Sequence, residues 1–121
     1  VKLGIALRAI RLSHDLPQRK AAELSLIKPS WYSQIETNRR TPNWETLSRI
    51  AKTLDVDLWE VLFVAEVPLD REVPTHMRSI LETSPKLAAF YQVALEVNRN
   101  PAMTTNDALP TTIPLFELEG L

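Results

Sequence analysis

The sequence predicts an all-α protein: five helices within residues 1–66, then a linker, a two-helix extension and an irregular Pro/Thr-rich tail over 67–121. Three observations predict it. Apolar residues recur every three to four positions, as in Leu3, Leu7, Ile10 and again in Leu47, Ile50, Ala51, Leu54, the period of helices with one buried face. Prolines and cap residues (Pro17, Pro29, Asn43, Asp57, Ser84-Pro85) stand where new helices would begin. Glycine occurs twice in 121 residues, as Gly4 and Gly120, too rarely for a fold of tight β-hairpins or for a glycine-rich phosphate loop.

Each element follows from local chemistry. Residues 2–13 carry the first helical repeat, which Asp15-Leu16-Pro17 interrupts. Pro17 suits the first turn of a helix over 17–24, where a missing N–H costs nothing. Ser25-Leu26-Ile27 is a short turn, and Pro29 opens a helix running to about Thr37. Asn38 tolerates the left-handed conformation that stops a helix. Asn43 caps a helix over 44–54, and Asp57 caps another over 58–65. After the linker, 75–83 is a short helix with Met77, Ile80 and Leu81 inward. The helix over 85–98 is apolar around more than one stripe, which demands burial on several sides. From Asn100 the chain reads as a loop or a short edge strand.

Composition narrows the chemistry. Without cysteine there is no disulfide, thiolate nucleophile or cysteine-ligated zinc, which fits a reducing cytoplasm. The most apolar stretch, Leu58 to Val67, contains Glu60 and Glu66 and is too short to cross a bilayer. His14 and His76 read as isolated surface residues and Asp55 and Asp57 as turn and cap residues, so no metal set, cofactor site or catalytic group is expected. The net charge of −1 conceals a split: residues 1–52 hold ten Lys/Arg against four acids. That imbalance points to a polyanionic partner for the first half.

The third helix carries the functional signal. With Tyr32 and Ile35 facing inward, its other face presents Lys28, Ser30, Trp31, Ser33, Gln34 and Thr37. Such a face can read base edges, because a glutamine amide pairs bidentately with adenine and Ser or Lys reaches neighbouring groups. The runs Gln18-Arg-Lys-Ala-Ala-Glu23, Tyr32-Ser-Gln-Ile-Glu36, Arg39-Arg-Thr-Pro42 and Glu45 through Leu54 resemble the Cro/CI (XRE) helix-turn-helix family, over about residues 3–63.

The resemblance implies a five-helix, lambda-repressor-like domain. It further implies a homodimer that sets two recognition helices into successive major grooves of double-stranded DNA, about 34 Å apart on a near-palindromic operator. Carried onto this chain, it puts Lys28, Pro29, Ser30, Ser33 and Gln34 toward bases, and Gln18, Arg39, Arg40 and Asn43 toward phosphates. It also pairs Arg11 with Glu36 as a structural ion pair, and makes Gln18 a brace for the recognition helix.

Two departures stand out. The family usually has glycine in the turn, where this chain has Leu26; a left-handed leucine costs roughly 1–2 kcal/mol, so a differently shaped turn is expected. Pro29 and Trp31 are also unusual on a reading helix, and Trp31 either reaches DNA or covers the adjacent helix. Trp59, Phe63, Phe90 and Tyr91 are the candidates for a dimer contact, with self-association expected of the extension. A repressor is the expected role. The alternative is an antitoxin or adaptor that represses its own operon and holds a protein partner through residues 67–121.

Overall fold

In a computed structural model, the described residues run from Leu3 to Asn100. The tail expected beyond Asn100 lies outside them. Seven helices follow one another: α1 (Leu3–Ser13), α2 (Gln18–Leu24), α3 (Pro29–Glu36), α4 (Trp44–Thr53), α5 (Leu58–Glu66), α6 (Thr75–Thr83) and α7 (Pro85–Arg99).

The helix starts use the anticipated residues. Pro29 and Pro85 lie in the first turns of α3 and α7. Asn43 Oδ1 accepts from the Thr46 N–H at 2.8 Å, and Ser84 Oγ accepts from that of Leu87 at 3.2 Å. At the start of α5 the Asp57 N–H donates to Glu60 Oε1 at 2.8 Å. Each bond satisfies a donor that a helix end would otherwise orphan.

The first four helix stops share one device and use no glycine. Asp15, Leu26, Asn38 and Asp55 have φ of 53°, 62°, 62° and 57° and end α1, α2, α3 and α4. In each case the next N–H reaches back five residues: Leu16 to Arg11 O, Ile27 to Ala22 O, Arg39 to Gln34 O, Val56 to Ala51 O. This is the Schellman closure, which satisfies carbonyls left open at a helix end. Asp and Asn enter the left-handed region at modest cost; leucine does so less readily. The turn between α2 and α3 therefore keeps the left-handed geometry that glycine would supply, contrary to the expectation of a different shape.

α1 lies at the centre. Leu7 and Ile10 are fully shielded, and α3, α5 and α7 all pack against this helix. Leu87, Phe90 and Ala94 of α7 join the same apolar cluster as Ala6, Leu7 and Ile10 of α1 and Val61 and Val64 of α5. The apolar breadth of α7 is thus spent within the chain. Phe90, 4% exposed, is core and not a dimer contact, a correction to the sequence reading. Tyr91 is half-buried, its hydroxyl donating to Pro68 O at 3.0 Å. The connecting segment is pinned where it starts, since Val67 and Pro68 are buried. α6 buries no residue fully, and Ile80, expected inward, is exposed.

Candidate nucleic-acid interface

The interface begins with how α3 is held. Tyr32 and Ile35 are buried beneath it, and Glu36 in its last turn is 1% exposed. Arg11 of α1 donates from Nε to Glu36 Oε2 at 2.7 Å and from Nη2 to Oε1 at 3.0 Å. Gln18 Nε2 donates to the same Oε1 at 2.9 Å. Arg8 donates from Nη2 to the Glu36 carbonyl at 3.0 Å, a cation at the C-terminal end of α3 where the helix dipole favours one. One carboxylate thus gathers two arginines and a glutamine from α1 and α2 onto the base of α3.

Electrostatics follow from burial. Desolvation lowers the Arg8 guanidinium pKa, and the neighbouring Glu36 charge opposes that shift. The Tyr32 phenol is pushed well above its ordinary value, by burial first and then by the Glu36 carboxylate. Close backbone contact completes the anchor. The Gly4 N–H donates to Asn38 Oδ1 at 2.9 Å. A Cβ at Gly4 would fall 2.8 Å from the Ile35 carbonyl oxygen and nearer still to that of Glu36. Only glycine lets α1 approach the end of α3 this closely.

With its inner side fixed, α3 turns Pro29, Ser30 and Trp31 to solvent and leaves Ser33 and Gln34 half-exposed; Lys28, just before it, is exposed. Arg39 and Arg40 follow in an exposed loop, and exposed Asn43 caps α4. Of these, Lys28, Trp31, Arg40 and Asn43 border a cleft of about 270 Å³ that Leu26 and Arg49 also line. The structure therefore brings Lys28, Trp31, Arg40 and Asn43 to one side, beside the exposed face of α3.

Gln18 is the exception. It is 9% exposed, and its amide nitrogen is turned inward to Glu36. As placed here the side chain braces α3, as the family resemblance implied.

Residues 7–59 match the family model described as Helix-turn-helix. The first five helices form a Cro/CI-type helix-turn-helix domain. This all-α domain supports a DNA-binding transcription regulator of the XRE type. Neither a curated protein nor a solved structure matches the chain. No helix among the described residues is long and apolar enough to cross a membrane. Nor do these residues hold a cluster of three or more metal-ligating side chains.

The sequence reading missed Arg8 and the contact of Gly4 with Asn38, which complete the anchor of this XRE-type domain. Arg8 lies three residues before Arg11 and so shares its helix face, a signal that was available. The Gly4 contact was not, because it depends on where α3 ends in space. Trp44, 65% exposed at the start of α4, also escaped notice.

Proposed function

We propose that the chain is a repressor that binds a near-palindromic operator as a homodimer, with α3 in the major groove. In this reading Lys28, Pro29, Ser30, Ser33 and Gln34 face the bases. Arg39, Arg40 and the N-terminal end of α4 at Asn43 lie along the phosphates. The observation that carries it is the division of α3: Tyr32, Ile35 and Glu36 are tied down from behind, while Pro29, Ser30 and Trp31 are exposed and Ser33 and Gln34 half-exposed. A rod held this firmly can present side chains to base edges without losing much order on binding. The first-half excess of basic residues supplies the phosphate attraction.

The dimer contact in this reading centres on α5, where Trp59 is 56% exposed and Phe63 half-buried. An exposed tryptophan is the kind of residue that interfaces enrich. The self-association expected of the extension drew on the apolar breadth of α7, and that breadth packs on α1 and α5; no specific observation favours the adaptor alternative.

Selection of bound sequences from a random duplex library tests the reading. It predicts two symmetry-related half-sites about one helical turn apart. Enrichment of a lone asymmetric site would contradict the dimer, and no enrichment would contradict sequence-specific binding.

A further inference from the structure

The two residues given separate tasks above, Gln34 for bases and Arg40 for phosphate, are joined. Arg40 Nε donates to Gln34 Oε1 at 3.0 Å. Arginine has donors only, so the amide atom it meets must be the oxygen, whichever way the amide was first placed. The guanidinium is itself held: its carbon lies 4.5 Å from the centroid of the Trp31 ring, and Lys28 Nζ lies 5.8 Å from the same ring. The Gln34 carbonyl accepts the N–H groups of both Arg39 (2.8 Å) and Arg40 (3.2 Å), so the loop carrying Arg40 is fixed to the residue it orients.

We infer that Arg40 is a positioning residue that makes Gln34 a donor-only reader of guanine, with Trp31 as the plate that holds Arg40 in place. The inference rests on α3 being the reading helix. An adenine contact needs both amide atoms on one base edge, the oxygen accepting from N6 and the nitrogen donating to N7. Here Arg40 occupies one lone pair of that oxygen and holds it toward the loop, so that in this inference the Nε2 hydrogens are the groups turned to the groove. Guanine offers two adjacent acceptors, O6 and N7. Adenine sets a donor beside its single acceptor, and thymine offers O4 alone. The unusual tryptophan on α3 thereby acquires a role: it acts on base choice through Arg40.

The test is a bound-sequence selection with the full chain and with Gln34→Ala, Arg40→Ala, Arg40→Lys and Trp31→Ala, each checked for an unchanged circular dichroism melt. Loss of preference in Gln34→Ala identifies the base pair that Gln34 reads. The wild type should prefer guanine over adenine there by about tenfold, the factor of one good base contact. Arg40→Ala should cut that preference to about twofold or reverse it toward adenine. Arg40→Lys keeps the charge but lacks the planar fork, so it should resemble Arg40→Ala in base choice while retaining salt-dependent affinity; Trp31→Ala should shift base choice in the same direction. Adenine at that position in the wild type, or an unaltered guanine preference in Arg40→Ala, would overturn the inference while leaving DNA reading intact. An enriched site that Gln34→Ala leaves unchanged would also overturn it. Absence of any enriched site would overturn both.

Discussion

Arg11 holds Glu36 through two parallel hydrogen bonds, of 2.7 and 3.0 Å, and both side chains are sealed from solvent at 1% exposure each. The pair joins the central helix α1 to the last turn of α3. Its geometry is the bidentate fork that makes arginine the preferred partner of a buried carboxylate. Such a pair need not add net stability over apolar residues, but it fixes where α3 sits.

Removing one partner strands the other. Glu36→Ala leaves Arg8 and Arg11 buried without their shared anion and should cost about 3–5 kcal/mol of folding stability. Urea denaturation of the variant reads this directly. A loss below about 1 kcal/mol, the range of exposed pairs, would mean that the cluster is solvated.

Tyr32 gives the fold an alkaline limit. Its native pKa is raised, so the neutral phenol is favoured in the folded state. Stability from this source is complete below the unfolded value of about 10 and is lost as pH climbs from there toward the native value. Thermal melts between pH 9 and 12 should fall for the wild type and fall less for Tyr32→Phe. Parallel curves for the two proteins would remove Tyr32 as the cause.

Leu26 stores strain at the turn of the DNA-binding motif. It is 78% exposed and held at φ 62°. Leu26→Asn should raise stability by about 1 kcal/mol, since asparagine tolerates this conformation. Leu26→Val should lower it, because β-branching is least compatible with positive φ. Equal stabilities would show that the turn relaxes in solution.

Phe90 tests whether the extension belongs to the core. Phe90→Ala should cost about 3–5 kcal/mol through the cavity left against α1. Chemical denaturation and analytical ultracentrifugation together decide it: a variant of unchanged stability that loses its self-association would return Phe90 to a dimer surface.

Helix positions were legible in the sequence because caps and prolines are local signals, and the inward set on α3, Tyr32 and Ile35, followed from spacing alone. The partner of an apolar stripe is not local information. The pattern of α7 demanded burial, yet it matched a surface on a second copy as well as it matched α1. Leu26 misled because its left-handed strain is tolerated by the Schellman bonds around it, which the residue type does not announce. Gln18 was placed at the right end of α2 and, through the family resemblance, as a brace for α3; that it grips the Glu36 carboxylate depends on a different helix bringing that group there. The Arg40–Gln34 link escaped for the same reason: the loop carries Arg40 back over the end of α3, and only the folded path shows it.

The central claim is that the free face of α3 reads base sequence. It is tested most directly by titrating Gln34→Ala and the wild type against the selected operator and an unrelated duplex at one salt concentration. The account predicts about a tenfold loss for the variant on the operator, the value of one base contact, and no change on the unrelated duplex. An equal loss on both duplexes, or none on either, would contradict it.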